Sequence, residues 1–91
     1  MVSATEFDKA VGQTFIVEAN GKMVALELSA VKPNANSPRE GGGFSLQFRG
    51  PREMLLPQGT YHFVGSDITH DIFIVPIAGD QSSYTYEAVF N

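Results

Sequence analysis

Apolar and polar side chains alternate along most of this chain, and the clearest example lies near its middle. Between residues 43 and 51, Phe44, Leu46 and Phe48 occupy every second position, with polar side chains between them. Successive side chains of an extended strand point to opposite faces of a sheet. The pattern therefore predicts a strand with one buried and one exposed face, and Gly50-Pro51 is expected to end it.

The same alternation predicts further strands on both sides of this segment. Residues 14–19 and 23–31 alternate on either side of Asn20-Gly21, a pair that favours a two-residue type I′ turn. We therefore predict a hairpin over residues 14–31. The remaining strands are predicted within residues 44–90, and Pro76 indicates a bend or an edge in one of them.

Two segments break the alternation. Phe7, Ala10 and Val11 recur at helical spacing, which predicts a short helix over residues 4–11 with Phe7 and Val11 against the sheet. Residues 33–43 contain two prolines and three consecutive glycines. This composition predicts a loop that is either mobile or functional.

About six strands linked mostly by hairpin-length turns predict an antiparallel meander. The length of 91 residues supports a single domain over residues 1–91, since two hydrophobic cores would not fit. An open sheet of this apolar content would leave unpaired strand edges that promote aggregation. We therefore predict a small six-stranded β-barrel or rolled sheet with the N-terminal helix at one end, and a β-sandwich is the alternative.

Composition narrows the classes of function. The formal charge is −4 and no basic run occurs, so we expect no nucleic-acid partner, which would need a basic surface. The chain has no cysteine, which excludes thiol catalysis and thiolate zinc sites. No apolar run is long enough for a membrane helix, and the first residues do not resemble a signal peptide. We therefore expect no membrane partner and a cytoplasmic location.

Histidine and aspartate residues cluster between positions 62 and 71. His62 and His70 are separated by a turn and could face each other on paired strands, with Asp67 or Asp71 as a carboxylate ligand. Because the spacing matches no specific metal motif, we expect these to be ordinary surface residues, and we expect no metal and no cofactor. A hydrolase triad could combine His62 and Asp71 with one of three serines: Ser29, Ser45 or Ser66. None of these serines lies in a nucleophile-elbow motif.

Five side chains are the candidates for partner binding: Arg49, Arg52, Tyr61, Tyr84 and Tyr86. Arg49 and Arg52 flank the Gly50-Pro51 break, where they could bind an acidic partner. Alternatively, Arg49 could hydrogen-bond loop carbonyls or Glu87 and so hold the break in place. The tyrosines offer apolar area with a polar tip for protein or carbohydrate contact.

Four segments resemble a family of small bacterial proteins with no assigned function. They are FSLQFRGP (residues 44–51), LPQGTY (residues 56–61), IFIVP (residues 72–76) and YEAVFN (residues 86–91). The likeness extends over residues 7–91 and carries no catalytic motif to transfer. It implies an assembly or binding role, since such proteins can be encoded among phage-tail-like components.

These observations favour a non-enzymatic protein-interaction or assembly module that binds another protein or itself, as an accessory of a larger, phage-tail-like complex. One alternative is a barrel that binds a carbohydrate or a small apolar ligand in a cavity. A cavity of that kind would be lined by four aromatic side chains: Phe44, Phe48, Tyr61 and Phe73. A small hydrolase is the remaining alternative.

Overall fold

A computed structural model describes residues 4–19, 21–34, 43–66 and 68–90 of the chain. These residues form one short helix and six strands, which close into an antiparallel barrel. The fold prediction is thus confirmed as a barrel rather than a sandwich. The elements are α1 (Ala4–Asp8), β1 (Thr14–Ala19), β2 (Lys22–Asn34), β3 (Gly43–Pro51), β4 (Gly59–Val64), β5 (Thr69–Gly79) and β6 (Ser83–Phe90).

The order of the strands differs from the predicted meander. Around the barrel the order is β1-β2-β3-β6-β5-β4, so β3 pairs with β6 and β4 closes the barrel against β1. The segment between β3 and β4 must therefore cross the barrel rather than form a hairpin. Leu56 of this segment is fully buried, and its N–H donates to the Tyr86 hydroxyl of β6 at 2.9 Å. Burial of this leucine explains why the crossing segment is apolar.

Inward-facing side chains fill the interior of the barrel. The aromatic rings at its centre lie in contact, with the Phe15 and Phe48 centroids 5.9 Å apart in a T-shaped arrangement and the Phe48 and Phe63 centroids 4.8 Å apart. Such geometry adds to the hydrophobic stabilisation from burial. Within the part of the chain that the structure describes, twelve large side chains are fully buried: Tyr86, Phe7, Phe15, Phe48, Phe63, Leu26, Leu28, Leu46, Leu56, Ile72, Ile74 and Val17.

The helix is shorter than predicted. It ends at Asp8 instead of residue 11, and the chain then turns, with the Ala10 N–H donating to the Phe7 carbonyl. Gly12 adopts a positive φ of 91°, which a glycine accommodates without strain. As a result Val11 is 47% exposed, and the prediction that it packs against the sheet is wrong.

The central strand ends at Pro51, within the predicted Gly50-Pro51 break. Gly50 and Pro51 belong to β3 and pair with Tyr84 and Ser83 of β6. A Cβ at position 50 would lie 2.5 Å from Leu26 Cδ2 and 3.2 Å from Tyr86 Cε1, so a larger residue there would displace the buried Leu26 side chain. Pro51 takes the last position of the strand, where a missing N–H is tolerated.

The ends of the predicted 33–43 loop also belong to strands. Pro33 and Asn34 extend β2, and Gly43 begins β3. The rest of that loop lies outside the described residues, as does Asn20 of the predicted hairpin turn. Gly21 of that turn has a positive φ of 79°, and β1 pairs with β2 from Thr14 to Ala19.

The barrel wall has a first opening between β5 and β6. Their register pairs begin at Val75, so residues 69–74 of β5 have no register partner among the described residues of β6. Phe7 of α1 closes this side, with its ring centroid 5.9 Å from that of His70 in β5 and 6.4 Å from that of Phe44 in β3. Glu6 adds a polar contact, with its Oε1 3.1 Å from His70 Nε2.

A second opening lies between β1 and β4. Two register pairs join these strands, Ile16 with Val64 and Val17 with Phe63. Residues 59–62 of β4 pair with β5, but no other strand in the described ranges pairs with them. The barrel therefore closes through a short contact on this side.

Candidate functional site

Arg49, Arg52 and Tyr84 form an arginine–tyrosine cluster where β3 ends and β6 begins. The pairing of Gly50 with Tyr84 and of Pro51 with Ser83 brings the two elements together. The Arg52 Cζ atom lies 4.8 Å from the centroid of the Tyr84 ring. This distance places the guanidinium within cation–π range.

Gly79 of β5 supports the Tyr84 ring from another side. A Cβ at this position would lie 2.8 Å from Tyr84 Cδ1 and 3.8 Å from an Arg52 guanidinium nitrogen. The ring therefore packs directly against the glycine backbone, next to Arg52. This close packing limits the orientations available to both side chains.

Arg49 makes a different contact from those predicted. Its Nη2 donates to the Ser83 hydroxyl at 3.4 Å, instead of bonding Glu87 or a loop carbonyl. The side chain is exposed, and the hydrogen bond is long. Arg49 is therefore oriented toward β6, and its other donors have no hydrogen-bond partner among the described residues, which leaves them available to a ligand.

A surface cleft of about 430 Å³ lies beside the cluster. Glu27 and Arg49 are paired in register on β2 and β3, so a carboxylate and a guanidinium both contribute to the cleft. The polar side chains from the start of β6 and the preceding turn are two serines. The full lining consists of Thr14, Ala25, Glu27, Arg49, Gly50, Pro51, Ser82 and Ser83.

Asp80 holds the turn that carries these serines. Its Oδ1 accepts the backbone N–H groups of Ser82 and Ser83, each at 2.8 Å, and the Ser82 hydroxyl at 3.1 Å. The hydrogen bonds from Ser82 and Ser83, together with the charge of Arg49, lower the pKa of Asp80 below its ordinary value. The turn is therefore organised around an ionised carboxylate.

The structure corrects the prediction that Tyr86 contacts a partner. Tyr86 is fully buried, and its hydroxyl accepts the Leu56 N–H. Burial is the main cause that raises the pKa of Tyr86, and the Leu56 hydrogen bond acts in the opposite direction. Tyr86 is a core residue that anchors the segment crossing the barrel.

Tyr61 is held by a contact outside the arginine–tyrosine cluster. Its hydroxyl donates to the Pro57 carbonyl at 2.8 Å, and the side chain is half-buried. After burial, the charges of Tyr84 and Tyr61 also act to raise the pKa of Tyr86. Two of the three predicted tyrosines are thus accessible from outside.

The two histidines do not face each other. In the register of β4 and β5, His62 pairs with Asp71 and Phe63 pairs with His70, so the two imidazoles lie on opposite faces of the sheet. On the outer face, His62 Nδ1 lies 2.7 Å from Asp71 Oδ1. Within the described residues no three side chains of ligand type group together, and Asp67 lies outside them.

The predicted triad serines are placed apart from the His62–Asp71 pair or engaged elsewhere. Ser29 donates to the Gln47 carbonyl and Ser66 donates to Gln13 Oε1, while Ser45 lies on β3, which is not a neighbour of β4.

The four aromatic side chains that were expected to line a cavity do not lie together. Phe44 and Phe48 are buried in the packed core, whereas Phe73 is 51% exposed on the outer face.

Sequence reasoning missed Glu27, Gly79, Ser82 and Ser83 as members of this region. Their proximity depends on β3 pairing with β6, and the predicted meander placed β4 there instead. The one local signal was the Gly79-Asp80 turn before the last strand, because Asp and Gly are typical turn residues.

A family model matches residues 2–90 of the chain and is described as a domain of unknown function, DUF6916. The chain belongs to this family. No curated protein and no solved structure matches it. No helix in the described ranges is long and apolar enough to cross a bilayer.

Proposed function

We propose that this protein is a non-enzymatic interaction module that binds a carboxylate-bearing segment of a partner protein at the arginine–tyrosine cluster. The observation that carries the proposal is the state of the two arginines. Both are exposed, and in the described part of the chain neither forms an ion pair with a carboxylate. Both arginines thus carry a positive charge and unused hydrogen-bond donors, on a chain of net charge −4.

The chemistry of the cluster suits recognition of a carboxylate. The planar guanidinium presents paired N–H donors that match the two oxygens of a carboxylate. Arg52 is partly immobilised by Tyr84, which lowers the entropy lost when a ligand orders it. Arginine and tyrosine are also the residue types that contribute most binding energy at protein interfaces.

The acidic residues around the cluster restrict the ligand. The Asp80 carboxylate is occupied by its own turn, but Glu27 lines the cleft opposite Arg49. A uniformly acidic surface would be repelled by Glu27. A ligand with spaced carboxylates, placed over Arg49 and Arg52, fits better than a continuous acidic run.

Because the interior of the barrel is packed, we place the proposed binding site on the outer surface. The candidate aromatic residues for an internal ligand do not line one cavity, because Phe73 lies outside and the central rings touch one another. A role in a larger assembly, which the family resemblance implies, is part of the same proposal. Light scattering at increasing concentration tests whether self-association contributes to it.

The test uses an end-blocked octapeptide of alternating glutamate and valine, titrated into the ¹⁵N-labelled protein. We expect chemical-shift changes centred on Arg49, Arg52 and Tyr84. The double variant Arg49→Ala/Arg52→Ala should weaken binding by about tenfold or more, since charge-assisted contacts are lost.

The matched control is Lys9→Ala/Lys22→Ala, which removes the same charge from two exposed lysines elsewhere. It should leave the affinity within about twofold at moderate salt, where distant charges are screened. Equal losses in the two double variants would show general charge attraction and contradict the proposed site. Absence of peptide binding would also contradict it.

A further inference from the structure

The second opening of the barrel exposes one edge of β4. Residues 59–64 of β4 pair with β5 along their whole length, but among the described residues only Phe63 and Val64 have register partners in β1. In an antiparallel sheet, alternate residues direct their N–H and C=O groups to opposite sides. Part of the backbone of residues 59–62 therefore points into the opening.

The facing edge of β1 is unpaired in the same region. Glu18 and Ala19 follow Val17 and pair with β2 on the other side, at Met23 and Lys22. On the β4 side they have no register partner in the described ranges. The opening is thus bordered by two strand edges, and such edges are templates for an added strand.

The side chains along the opening alternate between two environments. On the inner side, the small, buried Ala19 belongs to β1 and the half-buried Tyr61 belongs to β4. On the outer side, Glu18 is exposed, and the His62–Asp71 pair is 61% and 71% exposed. Lys22 is in register with Ala19 and so belongs to the inner side.

We propose that an extended segment of another protein, with alternating apolar and basic side chains, adds to β4 along residues 59–62. Its backbone would complete the unpaired hydrogen bonds of the β4 edge. Its apolar side chains would lie beside Ala19 and Tyr61, and its basic side chains would lie beside Glu18 and the outward-facing His62, whose ring contacts Asp71. This site is separate from the arginine–tyrosine cluster and does not depend on the proposed function.

The charge of the chain favours a different protein over a second copy. Each copy carries a net charge of −4, and edge-to-edge pairing of two β4 strands would bring both copies of Asp71 and Glu18 to one surface. Like charges placed together oppose association. A basic segment encounters attraction at the same surface.

The test uses an end-blocked octapeptide of alternating lysine and valine as the probe. In the ¹⁵N-labelled protein we expect chemical-shift changes and slowed amide exchange at residues 18–19 and 59–62. A peptide of the same sequence, methylated on every backbone nitrogen, keeps the side chains and charge but cannot donate backbone hydrogen bonds. It should lose nearly all binding.

Charge reversal at the opening provides the second measurement. Glu18→Lys should weaken binding of the lysine–valine peptide by about fivefold. Glu53→Lys makes the same change at an exposed position after β3 and should have little effect. Equal binding of the methylated peptide, shifts confined to other regions, or no binding would each overturn the proposal. The glutamate–valine peptide reports separately on the arginine–tyrosine cluster.

Discussion

The two openings in the barrel wall differ in what occupies them. At the β5–β6 opening, α1 inserts the fully buried Phe7 against Phe44 and His70. At the β1–β4 opening, two register pairs join the strands, and Tyr61 of β4 turns to the Pro57 carbonyl instead of bridging to β1. The chain thus covers one opening with its own helix, and the other is the surface where we propose that a partner strand adds.

A small barrel can in this way combine a fixed core with an adaptable edge. Buried apolar contacts determine how strongly a region resists local opening. The covered opening is part of the core, so changes there should affect global stability. The uncovered opening contributes few such contacts, so changes there should affect binding more than folding.

Phe7→Ala is expected to have the largest effect on stability. The substitution removes a fully buried ring from the covered opening, and losses of this kind cost about 3–5 kcal/mol. Urea denaturation followed by circular dichroism measures it. Val64→Ala, at a position 43% exposed beside the uncovered opening, is the comparison and should cost about 1 kcal/mol or less. Similar losses in both variants would remove the distinction between the openings.

Tyr86→Phe is expected to have the next largest effect. It keeps the ring but leaves the buried Leu56 N–H without its acceptor, which costs about 1–3 kcal/mol. Tyr61→Phe, whose hydroxyl bond is exposed, should cost less than about 1 kcal/mol. Denaturation of both variants under identical conditions tests the order, and a larger loss for Tyr61→Phe would contradict it.

The raised pKa of Tyr86 also predicts a pH dependence. The folded state retains the Tyr86 phenol proton at pH values above the ordinary pKa of 10.0, where the unfolded state has already released most of it. Stability from this group is therefore complete below pH 10 and falls as pH rises further. Tyr86→Phe should flatten the decrease above pH 10, and an unchanged slope would show that other groups cause it.

The sequence was sufficient to predict the barrel and the inward side chains. The alternation of Phe44, Leu46 and Phe48 reports directly on which face of β3 is buried. The pairing of β3 with β6 could not be predicted in the same way, because strand order depends on long-range packing of the crossing segment at Leu56. The location of the arginine–tyrosine cluster depends on that pairing.

Burial of Tyr86 is a second feature that could not be predicted from the sequence alone. Its alternation with Tyr84 and Ala88 predicts an inward position, but tyrosine is also a common binding residue. Only the tertiary contact between its hydroxyl and the Leu56 N–H decides between the core and the surface. The same ambiguity does not affect Arg52, whose charge keeps it at the surface.

The smallest expected effect concerns Asp80, in the turn next to the arginine–tyrosine cluster. Its lowered pKa means that its stabilising contribution is present above its ordinary pKa of 3.8 and is lost as pH falls through the lower folded value. Asp80→Asn should reduce the acid dependence of stability slightly and leave exchange rates in β4 unchanged. A shift in β4 exchange would show that the two regions are coupled.

Amide hydrogen exchange along β4 of the free protein tests most directly whether the barrel has an open edge. We predict that the amides of Phe63 and Val64 both exchange slowly, whichever neighbouring strand each N–H group faces. Among residues 60–62, amides directed toward β5 should be protected, and those directed toward β1 should exchange at least about a hundredfold faster. Uniform protection from residue 60 to residue 64 would contradict the open edge and the strand-addition site proposed on it.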